Sequence, residues 1–271
     1  MTVRGAETSA PKAHVLQSIA SASKRTGVPF NYLLNQAKTE SGLNPTAKAP
    51  TSSATGLFQF TNQTWLATVA SHGEEHGLSW ASNAIQRNAG GTFSVSDPQL
   101  RQQILDLRFD PAASAAMAGE FASDNANTLR QQLGREVDQT DLSIAHFLGA
   151  QGARKFLVAL QQSPAASAAA YFPEAAEANR SVFYDKAGSP RSLLEIHSRF
   201  AAKANAPTGA SPEPQTQLAI RTVQREHSNI VSQGARWSGR MPEIEPMPSR
   251  LSLTFAEAAY RKLSNLGGAA S

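Results

Sequence analysis

Glu40 is the residue whose setting best suits proton transfer, because Ser41-Gly42-Leu43-Asn44-Pro45 follows it at once and breaks regular structure. Upstream, Phe30, Leu33, Leu34 and Ala37 recur at helical spacing and define one apolar face. Pro29 suits a first helical position and Gly42 the residue just past the end. Extending the stripe by three or four residues reaches Glu40 and Ser41, so a lone carboxylate is aimed toward the buried side of its own helix. It also lies at the helix's negative end, where a second negative charge is disfavoured. Partial burial and that dipole both raise a carboxyl pKa, as a proton donor at neutral pH requires. Helical spacing alone is equally met by a glutamate that borders the core and reaches water.

A second stretch adds to the first. After the small-residue loop Ala49 to Thr55 comes Gly56-Leu57-Phe58-Gln59-Phe60. The loop is rich in turn formers and should return along the surface toward the helix end. Gly56 permits close backbone approach, Leu57 and Phe58 can anchor the loop, and Gln59 offers an amide donor and acceptor. Together, Glu40-Ser41-Gly-x-Asn-Pro and Gly56-Leu-x-Gln59 resemble the soluble lytic transglycosylase (SLT) domain, a goose-lysozyme-like fold grouped with the family 23 glycoside hydrolases. The specific part of the likeness is residues 38–65, within a broader likeness over residues 11–200. The resemblance implies that Glu40 is the single catalytic acid/base and that Gln59 lines the sugar cleft, with Ser41, Ser53 and Phe60 as further substrate-binding candidates. Phe58 stands where the family's second motif usually has Met. No cofactor and no metal are implied.

In the family, a later segment usually reads Ala-Tyr-Asn-Ala-Gly, and its tyrosine helps fix the substrate. Here Ala145-His146-Phe147-Leu148-Gly149 keeps the flanking Ala and Gly but not Tyr and Asn. His146 is then a candidate for the hydrogen-bonding part and Phe147 for an aromatic sugar platform. The plain alternative is a satisfied histidine beside a core phenylalanine. His72-Gly73-Glu74-Glu75-His76 fits an H-x-x-E-H zinc pattern. Against it, Gly73 and Gly77 weaken the helix such geometry needs, and no third ligand is marked. The sequence therefore favours a polar, loosely helical rim between Trp65 and Trp80, with Trp80 more a packing than a sugar-stacking residue.

The chain has 271 residues, enough for one domain of roughly 200 residues and an appendage. There is no cysteine, which excludes disulfides, thiolate metal sites and a cysteine nucleophile. No G-x-S-x-G and no phosphate-cradling glycine loop occur. The net charge of +4 is spread evenly, with no basic block of the kind that binds nucleic acid. A mild positive field favours an anionic polymer such as a cell wall. No apolar run is long enough for a membrane span. Met1 to Ala10 lack the apolar core of a secretory signal. A signal removed beforehand, a flagellar or other specialised secretion route, or phage lysis are the alternatives for reaching the periplasm or cell envelope.

Helical patterns are expected over residues 11–26, the Glu40 helix, 62–71, two starts at Asp97-Pro98 and Asp110-Pro111, 138–148 and 153–161. Apolar residues from Tyr171 to Phe200 are spaced like one more helical layer. Strand signals are nearly absent, so the expected fold is all-α, a goose-lysozyme-like domain over residues 1–205. Residues 206–271 read as a Pro-rich linker with a weak helix at 215–232 and a capping box, Thr254-x-x-Glu257, starting a last short helix. This tail has too little apolar content for its own core and is expected to be largely flexible, a docking segment for an envelope secretion or flagellar assembly.

The resemblance implies peptidoglycan glycan strands as substrate and cleavage between N-acetylmuramic acid and N-acetylglucosamine with formation of a 1,6-anhydro ring. Three rivals stay open: a muramidase that hydrolyses the same bond and needs a second carboxylate from Glu74, Glu75, Asp106 or Asp110; a silent peptidoglycan-binding or secretion-scaffold protein; and a zinc peptidase using His72 and His76.

Overall fold

Helix starts and stops are written plainly into this chain, and a computed structural model, which describes residues 9–50 and 52–205, follows them. Helix α1 (Ser9–Thr26) buries Val15, Ile19 and Ala22 and ends at Gly27. Helix α2 (Phe30–Ser41) begins one residue later than expected. Pro29 is its N-cap, with extended ψ of 132°, because proline's fixed φ serves as well just outside the first turn. The stop at Gly42 is as expected: its φ of 63° is left-handed, and its N–H closes the helix on the Lys38 carbonyl.

Helix α3 (Asn62–His72) is capped by Thr61, whose side chain accepts from the Thr64 N–H. A 3₁₀ turn (Glu74–His76) and short α4 (Ser79–Ser82) follow. There the expected packing role of Trp80 fails, since the residue is 46% exposed. Among the described residues the near-absence of strands holds except for a two-residue antiparallel pair, β1 (Gln86–Arg87) with β2 (Phe93–Ser94), in the register Gln86 opposite Ser94. The Gln63 side chain clips this ribbon by bonding both the N–H and the carbonyl of Phe93. Asp97 caps α5 (Pro98–Asp106), and Asp110 caps the long α6 (Pro111–Leu133). Both starts pair an acidic cap with proline in the first turn, as the sequence indicated.

The two helices expected at 138–148 and 153–161 are one element, α7 (Gln139–Gln162), bent at Gly149. Gly149 takes φ 73° and ψ 163°, a conformation open to glycine, so the chain changes direction without a loop between the halves. Four helices close the fold: α8 (Ala168–Tyr171), α9 (Pro173–Ala178), α10 (Arg180–Phe183) and α11 (Leu193–Ala204). Ser192 and Glu195 form a capping box on the last of these.

The fold is all-α in character, with α1 lying along α6 and α6 along α7. Around α2 and α3 the core holds Ile19, Leu33, Leu34, Leu57, Trp65, Leu66 and Met117, all fully buried. A second cluster gathers Leu129, Ile144, Phe156, Phe183, Leu193 and Ile196 between α7 and α11. The α2 helix belongs to both regions, because Asn35 donates to the Ala204 carbonyl and the Tyr32 hydroxyl lies 3.5 Å from the Leu142 carbonyl oxygen. Among the described residues no helix is long and apolar enough to cross a membrane. The linker, the weak helix and the Thr254/Glu257 capping box fall outside the described residues.

Candidate active site

Tyr32, Gln36 and Glu40 are four residues apart on α2 and so share one face of it. The Tyr32 hydroxyl is buried and accepts from Gln36 Nε2 at 3.4 Å. Burial pushes this phenol above its ordinary range, and the nearby Glu40 carboxylate adds to the shift. One turn on, Glu40 is 1% exposed, and its Oε1 meets His146 Nε2 at 3.2 Å. His146 comes from α7, three residues before the Gly149 bend, and its ring meets Phe121 edge-on at 6.4 Å. The side chain is 14% exposed. It lines a groove with Tyr32, Gln36, Phe58, Phe60 and Phe121, so the Glu40 carboxyl sits directly behind a residue of the groove wall.

The second motif is fastened against this helix end. Ser41 Oγ lies 2.8 Å from the Leu57 carbonyl and 3.1 Å from that of Ala37, a hydroxyl shared between its own helix and the loop. Gly56 takes φ 84°, and a Cβ there would fall 1.9 Å from the Arg108 carbonyl oxygen, so the loop backbone runs directly against the 3₁₀ turn Leu107–Phe109. Gln59, with φ 51°, is buried and donates its amide to the carbonyls of Gly56 (2.8 Å) and Ala47 (3.1 Å). Arg108 completes the fastening. Its Nη1 donates to Ser53 O at 2.8 Å and Phe60 O at 2.9 Å, and its Nε donates to Leu105 O. Burial lowers this guanidinium to about 10, still far above neutral, so it stays charged.

The sequence candidates therefore divide. Glu40 and His146 come together, although 106 residues separate them. Phe60 packs edge-on to Trp65 at 5.3 Å and lines the groove. Ser53 is exposed, with its Oγ accepting from Asn62 N and its carbonyl held by Arg108. Ser41 and Gln59 direct hydrogen bonds to the carbonyls of Leu57, Ala47 and Gly56, which hold the loop to α2, rather than facing outward. Phe147 points away from the groove: it is buried and packs against Phe200 at 5.3 Å and Phe183 at 6.1 Å. Consecutive helical residues are splayed by about 100°, so His146 and Phe147 cannot both face one groove. Tyr32, Gln36, Phe121 and Arg108 were missed. The first two carried a readable signal, the four-residue spacing ending at Glu40, whereas Arg108 and Phe121 come from distant elements with no local signal.

Asp110 caps α6, Asp106 accepts from Gln102, and Glu75 faces His72, while Glu74 is exposed in the 3₁₀ turn. Among the described residues, none of these four carboxylates, nor any other acidic residue, lines the groove.

Residues 17–86 match the family model for the transglycosylase SLT domain, a span that contains Glu40, Ser41, Ser53, Gln59 and Phe60 and ends before His146. With a buried glutamate closing α2, the second-motif loop fastened to it and an all-α frame around both, residues 17–86 are similar to the soluble lytic transglycosylase domain of lysozyme-like type, a family that acts on peptidoglycan.

Proposed function

We propose that this protein is a lytic transglycosylase that cleaves the β-1,4 bond between N-acetylmuramic acid and N-acetylglucosamine, with Glu40 as its one acid and base. The observation that carries the reading is Glu40 itself, buried at the end of α2 behind a groove whose wall holds its partner His146 and, among the described residues, no second carboxylate. Burial disfavours the charged form of a carboxyl, which suits a group that must give up a proton.

In the reaction, Glu40 gives its proton to the glycosidic oxygen as the bond from that oxygen to muramic C1 breaks. The sugar's own N-acetyl oxygen relieves the positive charge at C1. The Glu40 carboxylate then takes the C6 hydroxyl proton, and O6 bonds to C1 to close the 1,6-anhydro ring. Every proton is accounted for, and neither water nor a second carboxylate enters. His146 acts as a positioning residue, since a bond to Oε1 fixes the rotamer of the carboxyl. The fastened loop from Ser53 to Phe60 sets Phe58 and Phe60 in the groove wall, where they shape the place for the sugar. Residues 1–205 are the catalytic part in this reading, working on glycan strands in the periplasm or envelope.

The test is digestion of purified murein with the wild type and Glu40→Gln, with products weighed by mass spectrometry. Anhydro-muramic ends from the wild type and a rate loss of ~10²–10⁴-fold or more in the variant are expected. Reducing ends would instead identify a muramidase, and full activity of Glu40→Gln would remove Glu40 from the mechanism.

A further inference from the structure

On the side of α6 that carries Glu120 and Asp124, five titratable side chains meet that the sugar chemistry does not use. His72 ends α3, Glu75 and His76 belong to the following 3₁₀ turn, and Glu120 and Asp124 project from α6. His72 Nε2 lies 2.8 Å from Asp124 Oδ2. His76 Nε2 lies 2.7 Å from Glu120 Oε1, and this histidine side chain is 5% exposed. The Nδ1 atoms of both histidines are buried with no hydrogen-bond partner. His72 Nδ1 faces Glu120 Oε2 at 3.6 Å and Glu75 Oε1 at 4.0 Å. The His72, Glu75 and Glu120 donor atoms all lie within 4.8 Å of one another.

We propose that His72, Glu75 and Glu120 form a binding site for a divalent transition cation of the zinc class, with His76 and Asp124 orienting the ligands. Three observations carry it. First, Asp124 accepts the His72 Nε2–H, which leaves the Nδ1 lone pair directed at two carboxylate oxygens; carboxylate-to-histidine-to-metal is how ligating imidazoles are held. Second, the 3.6 Å separation is too long for a hydrogen bond. It is close to the edge of a tetrahedron with bonds of ~2.0–2.1 Å, which is about 3.4 Å. Glu75 is exposed and free to close its longer gap by a small rotation. Third, Glu75, Glu120 and Asp124 bring three carboxylates to one place, a charge that a divalent ion offsets together with the Arg25 guanidinium bound to the Glu75 carbonyl. The imidazole donor selects zinc-like ions over calcium or magnesium, which take all-oxygen sets.

This arrangement differs from the zinc-peptidase pattern read in H-x-x-E-H. His76 does not share the ion with His72, because its Nε2 holds Glu120. The decisive third ligand comes from α6, 44 residues beyond His76. The ion would tie the end of α3 to α6, the helix that supplies Phe121 to the groove, and would act as a staple rather than in the sugar chemistry. The proposal stands whether or not the chain cleaves glycan.

The experiment uses the untagged full chain, stripped with chelator, at mildly alkaline pH. Zn²⁺ is titrated calorimetrically, Tm is followed with and without Zn²⁺, and Co²⁺ is added as a spectroscopic substitute. The expected results are one Zn²⁺ per chain, a Tm rise of about 5–10 °C at a hundredfold excess over Kd, and visible Co²⁺ bands of a four-coordinate N/O site. Glu120→Gln and His72→Gln should lose the ion. Asp124→Asn, exposed enough to keep the fold, should bind about 10–100-fold more weakly. No stoichiometric uptake by the folded wild type, or uptake unchanged in His72→Gln and Asp124→Asn, overturns the proposal; in the first case the cluster holds only a proton on His72, and in the second the ion sits elsewhere.

Discussion

Replacing Gly56 with alanine tests whether the second motif is positioned by direct backbone contact. The new Cβ would sit 1.9 Å from the Arg108 carbonyl oxygen and 2.8 Å from its carbon. The obstacle is backbone, which cannot rotate aside as a side chain would. Restoring an ordinary contact of about 3.2 Å requires loop and 3₁₀ turn to part by about 1.3 Å. That displacement stretches the Arg108 hydrogen bonds to Ser53 and Phe60, now 2.8 and 2.9 Å, well past their useful range. Each bond to a charged donor contributes ~1.5–3 kcal/mol. Alanine at a φ of 84° costs about 1–2 kcal/mol more. The sum, ~4–8 kcal/mol before relaxation, is comparable to the whole stability of a domain. Urea denaturation should show Gly56→Ala either largely unfolded or weakened by about 4 kcal/mol, and the folded fraction should lyse murein poorly because Gln59 and Phe60 move with the loop. A variant within about 1 kcal/mol of the wild type, with full lytic activity, would refute this account of the loop.

Two other outcomes follow from the same geometry. Phe147→Ala removes a ring packed between Phe183 and Phe200 and should cost ~3–5 kcal/mol in urea denaturation, while KM for murein in the folded fraction stays unchanged; a raised KM at unaltered stability would restore a sugar-platform role. The pKa of Tyr32 is raised by burial, so below about pH 10 both folded and unfolded chains hold the proton and its contribution is complete. As pH rises past that point the unfolded phenol ionises first, and stability falls by ~1.4 kcal/mol per pH unit until the folded phenol also ionises. Tyr32→Phe should flatten this alkaline loss relative to the wild type, and parallel alkaline profiles would place the Tyr32 hydroxyl in contact with water.

Local chemistry made most helix boundaries legible. Asp97-Pro98, Asp110-Pro111 and Gly42 act within one turn, through a side-chain cap, a fixed φ or a left-handed stop, and all three appear in the structure where the residues indicated. Pro29 and α7 mark the limit of that reading. A proline is equally at home on either side of a helix start, and a glycine can bend two abutting helices without a loop. The exposure of Trp80 was illegible for another reason: burial depends on what lies opposite, which nearby residues do not specify.

The same division runs through the site. Glu40, its helix and the Gly56–Phe60 motif are encoded within a few dozen residues, so spacing and turn chemistry disclose them. The partners that give those residues their setting arrive from far along the chain: His146 against Glu40, Arg108 across Ser53 and Phe60, and Glu120 between His72 and His76. Whether His146 or Phe147 faces the groove turned on the rotation of α7 about its axis, which the second core sets by burying Phe147 with Phe183 and Phe200. Short-range forces choose helices and their ends. Long-range packing chooses which side chains meet, because that choice depends on filling a shared interior whose walls are separated by a hundred residues of chain.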